Sequence, residues 1–293
     1  MHHILTIYIK NTLDGILKLV GVDCMYGNPT TIKFLHPGPE RKLTKTEIIN
    51  KFANWQTEPS EHSRKYFEVK GEYISSLNFS IKSDEIGFWG EWEAESQIIR
   101  TLNPSLSTLP HFVHKPVKPL STPRIPGKRF LNTDPCVFGD DFLYSNCRQR
   151  TFKSLQNLNI GDVIIFGSSI NGDFVVDTVF VVGKIIKFNR RNQQVTIGNS
   201  VASWYYHSTL NLLADNYILY FGATYYNQID GMFSFFPCSP TKRHPNGFSR
   251  PKTFHKYNGK KALGIAYREL DQPNREWIKV VNDVLNNGLC LGY

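Results

Sequence analysis

Apolar and polar residues alternate with a period of two in several stretches, and that period predicts strands. Ile4–Tyr8 and Leu17–Asp23 read this way, followed by Tyr66–Ile74 and Ser76–Ile81. One early stretch breaks the rhythm. Thr44, followed three residues later by Glu47, has the form of a capping box and predicts a helix running through Trp55. These elements predict a mixed α+β unit over residues 1–85. Further on, Gly161-Asp162 is a turn that feeds the apolar run Val163–Phe166. Asn171-Gly172-Asp173 then predicts a hairpin into a second strand, Phe174–Val182. Lys184–Phe188, Gln194–Ile197 and Asn216–Phe221 continue a meander. In the tail, Trp277, Val280, Val281, Val284 and Leu285 recur at helical spacing, and Gly288 stands where a C-cap belongs.

Six prolines fall between Asn103 and Gly127, a density that predicts neither helix nor central strand. The chain is therefore expected to fold as α+β: an N-terminal unit, 1–85, packed on a central β-barrel-like domain, 86–293. That domain carries the basic, proline-rich loop 103–127 and is closed by a C-terminal helix.

Composition adds a charge pattern. The 293 residues carry a formal net charge of +9. Acids are absent from Ser96 to Thr133, from Thr178 to Ala214 and from Gly231 to Arg268, and each window holds several Lys and Arg. A positive field of that kind attracts polyanions, so DNA, RNA or a nucleotide is the expected partner. A merely basic, solubilising surface is the competing reading. No apolar run approaches the roughly 20 residues that span a bilayer, and Met1–Lys10 reads as too short and too polar for a signal peptide. The five cysteines form no CxxC pair, so the reducing cytoplasm is the expected compartment. The sequence names no cofactor, no metal motif and no oligomeric state.

Four clusters hold side chains suited to chemistry. The densest, Asn132–Gln149, combines Asp134, Asp140, Asp141, Asn132, Asn146, Gln149, Tyr144, Arg148 and two thiols. Amides can pair with a base edge and a phenol can stack on its face. Trp89-Gly-Glu-Trp-Glu93 sets two indoles beside Glu91 and Glu93, which share one face if the segment is a strand. Ser203-Trp-Tyr-Tyr-His207 offers rings for stacking, with a β-core segment as the plain alternative. Gly231–Cys238 leads into a basic stretch with Arg243 and Arg250. The triplet Glu68-Val-Lys70, with Asp23, has a form found in metal-dependent nucleases and also arises often by chance.

Leu155-x-x-Leu158-x-x-Gly161-Asp162-Val-Ile-Ile-Phe166, with its valine-rich return strand Val175–Gly183, resembles the opening of a PUA-like barrel of the ASCH, EVE and YTH kind. The block Thr133-Asp-Pro-Cys-Val-Phe-Gly139 is similar to uncharacterised nucleotide-modification-associated proteins. The resemblance implies recognition of RNA or of modified DNA bases through an aromatic pocket, with a place in nucleic-acid modification or phage defence. On the leading reading Trp89, Trp92, Tyr144 and Trp204 stack on the base. Asn132, Asp134, Asn146 and Gln149 read its edges, while Arg129, Arg148 and Arg250 hold phosphate. The rival reading is an enzyme acting on nucleotides or nucleic acid, a metal-assisted hydrolase, glycosylase or transferase. There Glu91, Glu93, Asp134 and Asp141 serve as acid–base or metal groups. A structural, partner-binding protein is the third.

Overall fold

A computed structural model describes residues 30–35, 38–53, 63–75, 80–118, 133–145, 147, 149, 151–189, 191, 196–197, 200–210, 217–253, 266–267 and 273–293. The strands predicted at Ile4–Tyr8 and Leu17–Asp23 lie outside them. The chain is α+β and mostly sheet. Its first half holds β1 (Thr31–Leu35), α1 (Lys45–Asn50), β2 (Phe52–Ala53), β3 (Lys65–Ile74), β4 (Ile81–Gly90), β5 (Ser96–Thr101), β6 (Phe112–Pro116) and β7 (Leu143–Tyr144). Its second half holds α2 (Lys153–Gln156), β8 (Val163–Ile170), β9 (Asp173–Phe188), α3 (Ser203–Ser208), β10 (Tyr217–Gly222), β11 (Phe236–Pro240), β12 (Ala266–Tyr267), α4 (Pro273–Asn286) and β13 (Cys290–Gly292).

Among the described residues, six strands form one sheet in the order β12-β1-β8-β9-β10-β7, and seven form a second in the order β13-β11-β4-β3-β6-β5-β2. In the second, β13 also pairs with β3, so β3, β4, β11 and β13 close a small ring within the sheet. The expected boundary after residue 85 falls inside β4, whose pairing with β3 runs from Ile81 to Gly90. Strands on either side of that boundary are interleaved. β1 lies parallel to β8, and β3 is bonded to β13.

The strand period divides the side chains between two cores. Ile164 and Phe166 of β8 enter one, Val163 and Ile165 the other. Phe67 and Phe88 join the first core, their neighbours Tyr66 and Trp89 the second. A strand buried on both faces reads as an unbroken apolar run, which is how Val163–Phe166 appears in the sequence. Helix α4 covers the second core with Trp277, Val280, Val281 and Val284, as its spacing predicts. The hairpin at Asn171-Gly172 is also as predicted. Both residues take positive φ, 53° and 84°, the requirement of a tight two-residue turn between twisted strands.

Three expectations change. Helix α1 forms with the Thr44–Glu47 capping box but ends at Asn50 instead of Trp55. Lys51 turns left-handed at φ 52°, and Phe52 and Ala53 pair with β5. The edge of a sheet overrides the helical pattern there. β9 is one continuous strand through Phe188, not two, and residues 196–197 are helical. Of the strand expected at Ser76–Ile81, residues 76–79 lie outside the described residues, and Ile81 opens β4. Finally, β6 is a central strand inside the proline-rich stretch, parallel to β3 and antiparallel to β5. Its residues up to Lys115 fall between Pro110 and Pro116, and Pro116 stands at the strand end, where no ladder donor is lost in mid-strand.

Candidate functional site

Two polar features lie on either side of the Glu91-Trp92 peptide, immediately past the end of β4. Because β4 stops at Gly90, Glu91 and Glu93 do not share a strand face as expected. The chain turns instead, and the Trp92 indole donates to the Glu95 carbonyl at 2.8 Å.

On one side is a buried ionic network that bridges the two sheets. Arg64 donates to Glu91 at 2.9 Å and to Asp177 on β9 at 3.0 Å. Arg250 donates to Asp177 at 3.2 Å and to Ser168 on β8 at 2.8 Å, and Ser168 donates to Asp177 at 2.9 Å. All five side chains are buried. Burial lowers the pKa of Arg250, with Asp177 opposing the shift. The Arg250 guanidinium also lies 5.1 Å over the Trp89 ring.

On the other side three segments bring together an aromatic cage. Trp92 meets Phe138 at 4.8 Å and Trp204 at 5.2 Å between ring centroids. The Phe138 segment is held by Asp134, whose carboxylate accepts the amides of Ser145 at 3.1 Å and Cys147 at 2.8 Å. Reciprocal backbone bonds between Cys136 and Leu143 complete that clamp. Trp204 stands on α3, which is anchored by its neighbour Tyr205, hydrogen-bonded to Ser145 at 3.0 Å. Into the cage comes Lys118. Its ammonium lies 4.5 Å over Trp204 and 5.6 Å over both Trp92 and Phe138, and it donates to the Phe138 carbonyl at 3.0 Å. Desolvation lowers the Lys118 pKa, while Cys136 and Asp140 pull it back up. Trp92 is 1% exposed, Trp204 half-buried and Lys118 exposed, so the lysine lies outermost over the rings.

A second buried polar cluster joins β3, β5 and β6. Lys65 donates to Ser96 at 3.0 Å and to the Ala94 carbonyl at 3.3 Å, and Ser96 bonds His114 Nδ1 at 3.1 Å. Burial pushes Lys65 well below its usual range, and pushes the His114 imidazole down to about 2.

The structure separates residues that the sequence grouped. Trp92 and Trp204 meet. Trp89 lies in the other core, where its indole donates to the Phe248 carbonyl at 2.7 Å and its ring meets Tyr66 edge-on. Tyr144 is fully buried, stacked on Tyr220, with its hydroxyl donating to the Cys147 carbonyl at 2.7 Å. Neither ring joins the group formed by Trp92, Phe138 and Trp204. Gln149 donates to the Ile218 carbonyl at 2.9 Å. Arg250 is committed to Asp177 and Ser168, not to the surface. Glu91 is bonded to Arg64 and Asp134 to backbone amides, both buried. Glu93 is half-buried, and its charge favours protonated Lys65. Asp141 is half-buried and raised above the usual carboxylate range by desolvation and by Asp140. Glu68 pairs with Arg100. The Ser203–His207 segment is helical rather than extended. Arg129, Asn132, Asn146 and Arg148 lie outside the described residues. The residues that the sequence analysis did not single out are Phe138, Arg64 and Asp177, together with Lys118 as the occupant of the rings. The signal for Lys118 was its place in the acid-free window between Pro116 and Pro119.

Among the described residues, no three His, Cys, Asp or Glu side chains cluster in a way that would hold a metal ion. Nor is any described helix long and apolar enough to cross a membrane. No family model, curated protein or solved structure matches the chain.

Proposed function

We propose that the protein binds nucleic acid or a nucleotide and recognises a base, modified or not, at the half-buried Trp204 face of the group it forms with Trp92 and Phe138. The observation that carries this reading is the convergence of these rings from three distant segments around an exposed lysine. Stacking on aromatic rings suits nucleobases because every base offers a π-face. The net charge of +9 supports a polyanionic partner. On this reading the β8–β9 hairpin and its Gly161-Asp162 entry belong to a PUA-like, base-reading architecture. On the same reading the buried Arg64–Asp177–Arg250 network would hold the two sheets in register.

The test is direct titration with single-stranded DNA, RNA and mononucleotides, followed by tryptophan fluorescence at several salt concentrations. Binding is expected to quench the indoles and to weaken as salt rises, because contacts to phosphate release counterions. Trp204→Ala is expected to reduce affinity by about tenfold or more, in line with base–aromatic stacking. Absence of affinity for all three ligand types, or affinity untouched by Trp204→Ala, overturns the reading.

A further inference from the structure

The cage already holds a ligand of defined chemistry, a cation with an N–H donor, and that occupant comes from the protein itself. Lys118 Nζ meets three π-faces and one carbonyl acceptor. Ring faces that attract an ammonium attract it through their quadrupole, an interaction that a neutral base does not share. The Phe138 carbonyl adds a second requirement, since only a ligand that retains an N–H can replace the bond Lys118 makes there. Trp204, the half-buried ring of the three and the one nearest Lys118, offers an indole face that suits a flat ring better than a compact tetrahedral head. The nearby Asp140 carboxylate, which raises the Lys118 pKa, favours positive charge at this spot and disfavours a phosphate in it.

We infer that the cage selects a nucleobase carrying a formal positive charge, an N-alkylated purine or pyrimidine cation that keeps an N–H. Lys118 is the internal stand-in for that cation and leaves when it binds. This inference rests on the base-binding reading above and adds to it both a ligand class and a built-in competitor. Lys118 is exposed and outermost, so its side chain can swing away without disturbing the ring packing beneath. The competition sets the affinity: a ligand must displace a tethered cation, and binding is weakened by the fraction of time the cage is occupied.

The experiment compares the full chain with its Lys118→Ala and Lys118→Met variants. The probes are 7-methylguanosine monophosphate and 1-methyladenosine monophosphate, with guanosine and adenosine monophosphates as neutral controls and choline as a cation without an N–H. Binding is read by tryptophan quenching and by calorimetry. Lys118→Met keeps the apolar stem on the rings and guards against a loss of folding in Lys118→Ala. Both methylated nucleotides are expected to bind the Lys118 variants at least tenfold more tightly than they bind the unaltered chain. They are also expected to bind at least tenfold more tightly than their neutral counterparts, and Trp204→Ala added to Lys118→Ala should abolish the preference. Equal binding of charged and neutral nucleotides overturns the inference and leaves the base-binding reading standing. Unchanged affinity on removing Lys118 refutes its role as competitor. Choline binding more tightly than any nucleotide reassigns the cage to quaternary ammonium ligands. No binding of any nucleotide to any variant removes the inference and the reading together.

Discussion

His114 shows how a single side chain can carry pH dependence for the whole fold. Its ring is fully buried between β3 and β5, and its Nε2 is buried without a hydrogen-bond partner. Desolvation, with Lys65 and Arg41 adding to it, holds the imidazole down to about 2, against 6.5 for the free group. Below pH 6.5 the unfolded chain therefore takes up a proton that the folded chain refuses. Stability falls as pH drops from about 6.5 toward 2, with a slope of up to about 1.4 kcal/mol per pH unit for this proton. His114→Gln should flatten the pH dependence of the urea midpoint between pH 6 and 4, and an unchanged slope would assign the effect to other groups. Legibility was also decided residue by residue. Trp89 and Trp92 look equivalent in the sequence, two indoles separated by Gly-Glu. Only the end of β4 at Gly90 sends one toward Phe248 and the other toward Trp204, and nothing local in the sequence marks that end.

At the scale of elements, close backbone approach fixes the strand pairing. β9 and β10 change register at Phe221/Gly222, and Gly183 lies against that irregularity. A Cβ at Gly183 would stand 2.8 Å from both the Cα and the amide nitrogen of Ala223, atoms of the main chain that cannot swing aside. Gly183→Ala should destabilise the protein by about 1–3 kcal/mol, the usual range for overpacking. Gly90→Ala, whose Cβ would meet the Phe88 side chain at 3.1 Å, should do less damage, because a side chain can give. Thermal melts of the two variants would check the order. Elements set by local chemistry were legible in advance: the Asn171-Gly172 hairpin, the capped start of α1 and the amphipathic α4. Elements set by distant partners were not. Lys51 leaves the helix because β5 offers a sheet edge, and β6 exists because β3 and β5 lie on either side of it.

For the molecule as a whole, the two sheets meet through Arg64, Glu91, Asp177, Ser168 and Arg250. Removing one partner of a buried pair strands the other in a low-dielectric interior. Arg64→Met leaves Glu91 and Asp177 without its guanidinium and is expected to destabilise the fold by about 3–5 kcal/mol. Chemical denaturation followed by both fluorescence and circular dichroism would measure the loss. Coincident transitions would show that the sheets unfold together, whereas separate ones would show that the network had been holding independent halves. The charge reading changes at this scale too. The acid-free windows are stretches of sequence, and in space acids from elsewhere reach them. Arg100 pairs with Glu68, Lys252 with Asp173 at 2.6 Å and Arg250 with Asp177. The field available to a polyanion is therefore smaller than a count of Lys and Arg along the chain suggests.

The small ring of β3, β4, β11 and β13 has a consequence for biosynthesis. β3 and β4 are made early, but the strand that seals them, pairing Leu291 with Ile74 and Gly292 with Tyr73, follows only after most of the chain has been translated. At about 5–20 residues per second, a ribosome leaves β3 with an open edge for tens of seconds. During that interval the Tyr73–Ile74 end of β3 lacks its last partner, and an open sheet edge is the kind of surface that invites aggregation.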